Sequence, residues 1–376
     1  MPKVMLREFR CTSKYSTDGS LVLDNAVQTN ACRMPVQLPQ LLRVNTLAAQ
    51  LRPSMAYHVL QHELRLVLSY LDSTNGMLVA RTSDLQASAR QIGSFFTETM
   101  GVGMLTAAMH ARCGWNGGYQ DLAHFDVLPA TKLTQHFSRK GVRPDLLFAF
   151  KHPPRDDIAG EARGRAKVQP GRGRTHDDQR KRLNQLFNWS SRNKNHQVTM
   201  AWTFTRGPHI AVDLFILDTN TPSPRPDQEP KPPPPGGPNR GPKPPSPEEG
   251  GRVAASPAPG SDSLDSGVDV TSYDSDDRPG ADSLYETAPN SDRQRLDDIE
   301  VRGDWVPANL IAPSTNQMFV GVLRNEPTPG LREAASSLQD HDDSVRIGLF
   351  GRVLLATSQD RAQSPQWRDI SERLGQ

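Results

Sequence analysis

A long proline-rich and acidic segment most constrains how this chain can fold. Between residues 219 and 260, 15 of 42 residues are proline, including four in a row at positions 232–235. Proline fixes one backbone torsion and lacks an amide donor, so such a segment favours extended polyproline conformations and buries no core. Residues 261–300 are rich in Asp and Ser and poor in apolar residues. We therefore predict a disordered linker over residues 218–298, which leaves the fold to the chain on either side.

The linker follows a region of opposite charge. Residues 139–194 contain 15 Lys and Arg against 6 Asp and Glu, whereas residues 219–300 contain 8 against 16. A basic region followed by an acidic one indicates a polyanionic partner such as DNA or RNA, with which the tethered acidic segment would compete. A solvated basic face and a solubilising spacer are the alternatives. The proline-rich part could also bind a protein partner.

The cysteines and the apolar runs indicate where the protein works. Three cysteines, at positions 11, 32 and 113, are widely spaced and form no C-x-x-C pair, so neither a disulfide framework nor a zinc knuckle is indicated. Reduced thiols fit a cytoplasmic protein. The first ten residues lack the apolar run of a signal peptide, and no stretch approaches the ~18–20 apolar residues of a membrane span. We expect a cytoplasmic protein without a membrane partner.

We expect three parts in the remaining chain. Residues 1–82 are expected to form an N-terminal extension with one helix, and residues 83–217 a core, whose extent is that of the family resemblance given below. Residues 299–376 are too few to trust as an independent domain, so we expect them to pack on the core. Helices are predicted at 54–71, 83–111, 178–192 and 366–374, clear strands at 197–204, 209–217 and 344–357, and weaker strands at 123–128 and 131–137. Residues 299–301 and 317–324 are expected to be ordered, without an assigned element.

Two short apolar segments, a hairpin's length apart, each present one carboxylate. Asp145 follows Pro144 at the start of the first segment, and Glu161 lies within the second, followed by Ala162 and Arg163. If these segments pair as neighbouring strands, the two carboxylates face each other. Hydrolysis of a phosphodiester needs a cation to accept developing charge, and Mg²⁺ prefers carboxylate oxygens with several waters retained. The pair therefore suggests a Mg²⁺ or Mn²⁺ site.

These residues, with the order of helix, strands, helix and strands around them, resemble the PD-(D/E)XK phosphodiesterase superfamily over residues 83–217. The resemblance implies an α/β fold with a restriction-endonuclease-like αβββαβ core that hydrolyses phosphodiester bonds with a divalent metal. It makes Asp145 and Glu161 the metal ligands. It also assigns Arg163 to the position of the motif lysine, and Glu98 to the acidic residue that many members place near the metal. Gln179 or Gln185 would correspond to the glutamine that some members add on the following helix.

The sequence departs from the family's pattern at Arg163. Arginine stays protonated in proteins, so it can neutralise a phosphate but cannot act as a base. The residues thus leave open whether the protein is a Mg²⁺-dependent endonuclease or a catalytically inactive nucleic-acid-binding module. A scaffold that works through the proline-rich linker is a third possibility. The plainest alternative is an unrelated hairpin whose carboxylates pair with Arg143 and Arg163.

Basic side chains surround the motif and are expected to contact the phosphates of a nucleic acid. They are Arg143, Arg165, Lys167, Arg172, Arg174, Arg180, Lys181 and Arg182. Several belong to a Gly/Arg-rich loop at residues 165–174, which we expect to be flexible. The polar residues 175–178 that follow resemble a metal cluster but are more typical of a helix cap.

Overall fold

The structure is a computed structural model that describes residues 1–115, 122–125, 142–150, 157–219, 279–290, 294–311, 316–338, 345–358 and 366–375. Its strands are β1 (Lys3–Tyr15), β2 (Leu21–Pro35), β3 (Leu71–Thr74), β4 (Met77–Ala80), β5 (Leu122–His124), β6 (Leu146–Phe148), β7 (Ile158–Arg165), β8 (Val198–Phe204), β9 (Ala211–Leu217), β10 (Gln294–Leu296), β11 (Ile299–Pro307), β12 (Gln317–Leu323), β13 (Val345–Phe350) and β14 (Val353–Ser358). Its helices are α1 (Leu38–Leu41), α2 (Arg43–Gln50), α3 (Tyr57–Ser69), α4 (Thr82–Ala87), α5 (Arg90–Cys113), α6 (Asp177–Arg192), α7 (Pro279–Thr287), α8 (Pro329–Ser337) and α9 (Trp367–Arg373). Within these ranges, no helix combines the length and the apolar character that crossing a bilayer requires.

The described elements form a mixed α/β protein with two sheets. The larger sheet has the strand order β3-β4-β1-β9-β8-β7-β6-β5, with β2 paired to β1. Strands β5, β6 and β7 form an antiparallel meander, and β8 lies parallel to β7 after the crossover through α6. In chain order, α5, β5, β6, β7, α6 and β8 are a helix, three strands, a helix and a strand.

The N-terminal region is part of the large sheet, so the prediction of an extension with one helix does not hold. Strand β1 pairs in parallel with β9, with Leu6 opposite Val212, and antiparallel with β2. Val4 and Leu6 are buried in the core on one face of the sheet, and Phe9 and Cys11 in the core on the other. A strand that is buried on both faces belongs inside the sheet. Its parallel partner lies about two hundred residues along the chain, where no local pattern could reveal it.

A helix interrupts the predicted linker. Ala281, Leu284, Tyr285 and Ala288 recur at helical spacing and are all buried, and α7 packs against α2 and α3. The Tyr57 amide also donates a 2.8 Å hydrogen bond to the Thr287 hydroxyl. The prediction of disorder therefore fails for residues 279–290 and 294–298, because their few apolar residues all lie on one buried helix face or in strand pairs. Residues 218 and 219 are described at the end of β9, while residues 220–278 and 291–293 lie outside the described ranges.

Most predicted elements are present. Helices α3, α6 and α9 and strands β8 and β9 match the predicted ranges within a few residues, and the segment expected to be ordered at 317–324 is strand β12. The predicted helix over residues 83–111 is two helices, α4 and α5, and the predicted strand over 344–357 is a hairpin that turns at Gly351, where φ is 60°. Strand β5 covers part of the weak candidate at 123–128, and the candidate at 131–137 lies outside the described residues.

Helices cover both faces of the large sheet. Helices α3 and α5 contribute Leu64, Met100 and Met104 to one core, which also contains Val320 and Phe350 from the smaller sheet. Helix α6 contributes Leu183 and Phe187 to the core on the opposite face. The smaller sheet, β10-β11-β12-β14-β13, has a further core of its own with α8 and α9.

Two glycines bring α5 into backbone contact with β7. A Cβ atom added to Gly164 would overlap the carbonyl oxygen of Thr97, and one added to Gly101 would lie 2.6 Å from the Gly164 amide nitrogen. No larger residue fits at either position without moving the helix. This close approach fixes α5 against the part of β7 that carries Glu161, Arg163 and Arg165.

Candidate functional site

Asp145 and Glu161 face each other across the β6–β7 hairpin. Leu146 pairs with Gly160, so Asp145 and Glu161 are the next pair in the same antiparallel register. The Asp145 amide donates to the Gly160 carbonyl at 3.0 Å, and Asp145 Oδ2 accepts a 2.7 Å hydrogen bond from the Ala162 amide. Opposed residues of an antiparallel pair direct their side chains to the same face of the sheet. The hairpin therefore brings the two carboxylates of the motif together.

The Glu161 carboxylate is completely buried and is bound on one side only. Its Oε1 atom lies 2.6 Å from Arg163 Nε and 2.7 Å from Arg182 Nε. Its Oε2 atom is buried without a hydrogen-bond partner among the described residues. A buried carboxylate oxygen with no partner is energetically costly, and such atoms often mark a position where an ion or a ligand binds.

The pKa of the Glu161 carboxyl is raised to about 7. Burial is the largest cause and the negative charge of Asp145 acts in the same direction, whereas the hydrogen bond from Arg182 and the charges of Arg163 and Arg182 lower the pKa. The effect of burial and of the Asp145 charge on the pKa is thus larger than the opposing effect of the two guanidinium groups. A group tuned in this way, within a cluster of charges, is typical of functional sites.

The two arginines on Glu161 differ in how they are held. Arg182, on α6, is 14% exposed and also donates to Gln185 Oε1 at 3.1 Å and to the Arg143 carbonyl at 3.5 Å. Arg163, on β7, is 32% exposed, and Glu161 is its recorded ionic partner. Although both were predicted beside the motif, the structure gives Arg182 a role in holding the carboxylate that the sequence did not reveal.

Arg165 continues the same face of β7, two residues beyond Arg163. Its guanidinium lies 5.2 Å from the centre of the Trp202 ring on β8, a cation–π contact. Burial lowers the pKa of Arg165, and the neighbouring positive charge of Arg163 lowers it further. The aromatic ring thus supports a partly buried cation close to the carboxylate pair.

The Gly/Arg-rich loop at residues 165–174 is fixed on its underside. Arg7 donates to the carbonyls of Pro170 and Gly171 at 2.8 and 2.9 Å, and the Gly173 amide donates to Gln28 at 3.0 Å. The exposed pair Lys167–Asp178, 2.8 Å apart, ties the loop to the start of α6. The described loop is thus anchored at several points, which differs from the expected flexibility. Its outer face exposes Arg172 and Arg174.

A second buried charge network lies beneath that loop. Asp213, on β9, forms two 2.7 Å hydrogen bonds with Arg7 and accepts others from Gln169 at 2.8 Å and Gln179 at 3.1 Å. Gln179 also accepts from the His176 amide at 2.7 Å, which closes the first turn of α6. The Gln179 side chain, which was predicted to lie at the catalytic site, is therefore hydrogen-bonded to Asp213 and to the backbone at the start of α6. The only sequence signal for this network was an aspartate inside the otherwise apolar strand β9.

The structure does not bring Glu98 onto the face of β7 that carries the Glu161 side chain, contrary to what the resemblance implied. Glu98 is exposed on α5, which packs against the opposite face of β7, although its charge acts on Arg165. Arg143, Arg180 and Lys181 are exposed. Residues 175–178 form the start of α6, as the capping interpretation predicted, but the N-cap residue is His176 and not Thr175 or Asp177.

The donor set suits a metal that retains water. Among the described residues, no group of three or more His, Cys, Asp or Glu side chains is arranged to hold a metal ion. Mg²⁺ is commonly bound by one or two carboxylates, with waters and substrate phosphates completing its shell. Asp145 together with the unpartnered Oε2 of Glu161 fits that requirement. Comparisons with family models, with curated proteins and with solved structures found no match to this chain.

Proposed function

We propose that this protein is a metal-dependent phosphodiesterase that acts on nucleic acid, with Asp145 and Glu161 as ligands of Mg²⁺ or Mn²⁺. The observation that carries the proposal is the buried, unpartnered Oε2 of Glu161 opposite a second carboxylate. The restriction-endonuclease-like core is part of the proposal. It is supported by the order of α5, β5–β7, α6 and β8 and by the parallel pairing of β7 with β8.

The metal ion and the arginines would have different roles in hydrolysis. A bound Mg²⁺ would polarise the phosphodiester and lower the pKa of a coordinated water. Arg163 and Arg165 would neutralise the non-bridging phosphate oxygens, since a guanidinium matches a phosphate through two parallel hydrogen bonds. Neither arginine can accept a proton, so the proton of the attacking water leaves to solvent or to the phosphate itself.

The surrounding basic surface supports a polymeric substrate. Arg172, Arg174, Arg180 and Lys181 are exposed on the anchored loop and on the start of α6. Several cations beside one site would contact successive phosphates, which binds a nucleic acid without reading its sequence. The cysteines Cys11, Cys32 and Cys113 form no disulfide with one another, which supports our assignment of the protein to the reducing cytoplasm.

The test is cleavage of labelled single- and double-stranded DNA and RNA by the purified protein with Mg²⁺ or Mn²⁺. We expect cleavage to be lost in Asp145→Asn and Glu161→Gln while most nucleic-acid binding is kept. The control is Asp157→Asn, which removes an exposed carboxylate just before β7. Cleavage that survives in both site variants would refute the proposal.

A second candidate function is nucleic-acid binding without cleavage. It is favoured by the ion pairs from Arg163 and Arg182 to the same oxygen of Glu161, which partly neutralise the charge that a metal needs. The same assay separates the two: this candidate predicts binding by the wild-type protein and no cleavage with any divalent metal. A protein that neither cuts nor binds would refute both and leave the scaffold interpretation.

A further inference from the structure

Positive charges at least match the negative charges around Glu161. Two carboxylates, Asp145 and Glu161, lie beside the guanidinium groups of Arg163 and Arg182, and Arg165 follows on the same face of β7. A divalent cation entering this cluster would meet no net negative charge. One of the positive groups therefore has to move before the carboxylates attract a cation strongly.

Arg163 is the group that is free to move. Arg182 is mostly buried and has two further acceptors, Gln185 and the Arg143 carbonyl, which hold it in place. Arg163 is one-third exposed, and within the described parts of the chain its recorded ionic partner is Glu161 alone. It lies on the same face of β7 as Arg165, beside the exposed basic surface where a phosphate would arrive.

We propose that Arg163 is a gate on Glu161: an arriving phosphodiester draws the guanidinium away from Oε1, and the released carboxylate then takes up the divalent cation. The inference rests on the proposed function and adds an order of assembly to it. A guanidinium binds a phosphate through two parallel hydrogen bonds, whereas Glu161 offers it one occupied oxygen shared with Arg182. Nucleic acid and metal consequently bind cooperatively, and by linkage each strengthens the other by the same factor.

The experiment measures Mn²⁺ binding to the full-length protein by the loss of the free-ion EPR signal. Titrations are run without nucleic acid and with a saturating phosphorothioate oligonucleotide that resists cleavage. The wild-type Kd for Mn²⁺ should fall about tenfold or more with the oligonucleotide, within the usual range of coupling between two sites. Arg163→Gln should bind Mn²⁺ tightly without the oligonucleotide and gain little from adding it.

Two further variants make the outcome decisive. Arg192→Gln removes an exposed arginine at the far end of α6 and should keep the wild-type coupling. Asp145→Asn should lose Mn²⁺ binding in both titrations, which assigns the binding to this site. The gate would be overturned if the wild-type protein bound Mn²⁺ with the same affinity with and without the oligonucleotide. It would also be overturned if the oligonucleotide strengthened Mn²⁺ binding to Arg163→Gln as much as to the wild-type protein, because the phosphate would then act only as a metal ligand. In either case, Mn²⁺ binding that depends on Asp145 would leave the proposed function standing, whereas no Mn²⁺ binding in any titration would refute both.

Discussion

Replacing Glu161 with glutamine should change how the stability of the metal-free protein depends on pH. The pKa of this carboxyl is raised from its ordinary value of 4.5 to about 7 in the folded protein, chiefly by burial. Between these values the folded state keeps a proton that the unfolded chain releases. The stability contributed by the protonated carboxyl is therefore complete below about pH 4.5 and is lost as the pH rises through 7. Glutamine has the same shape and does not titrate.

The magnitude follows from the linkage relation. A difference of one unit in pKa corresponds to ~1.36 kcal/mol, so between pH 5 and pH 8 the wild-type protein should lose about 2–3 kcal/mol relative to Glu161→Gln. Any constant cost of leaving Arg163 and Arg182 without their carboxylate cancels in this comparison. The assay is urea unfolding of both proteins in EDTA at each pH. A stability difference that is the same at pH 5 and pH 8 would show that the two arginines keep Glu161 ionised, and would refute the reasoning.

Three further predictions test the fold around the site. Gly164→Ala should lower the melting temperature, because its Cβ would overlap Thr97, and overpacking costs about 1–3 kcal/mol or more; Gly171→Ala, with open space around it, is the matched control and should not. Leu284→Ala should cost about 2–5 kcal/mol in urea unfolding if α7 is packed as described, and nothing if that segment is unstructured. Cys11 should resist alkylation in the native protein at pH 8, since burial raises its pKa to about 12; rapid labelling by mass spectrometry would contradict this.

The parts of the fold that local patterns encode could be predicted from the sequence. Helix α6 and strands β8 and β9 follow from the apolar pattern, because the helix buries one face and each strand is buried along nearly its whole length. The hairpin that places Asp145 opposite Glu161 could also be predicted, since its two strands are close in sequence and pair antiparallel. The sequence pattern that predicts such a short-range strand pair lies within a few residues of the motif.

The parts that depend on distant contacts could not be predicted. Arg7 and Asp213 are 206 positions apart, and neither has a local partner that would reveal the buried pair. The resemblance suggested Gln179 as a catalytic amide, yet its side chain is hydrogen-bonded to Asp213 and to the His176 amide at the start of α6. Arg182 is one of several basic residues in its segment, and only the packing of α6 on the sheet shows that it donates to Glu161.

The most direct test of the central claim is anomalous diffraction from crystals of the protein grown with Mn²⁺ and a phosphorothioate oligonucleotide. We predict one strong manganese peak at coordination distance from carboxylate oxygens of both Asp145 and Glu161, with a phosphate oxygen in the same shell and the Arg163 guanidinium moved onto that phosphate. A complex with the oligonucleotide bound, no manganese at this position and both arginines still on Glu161 would contradict the account.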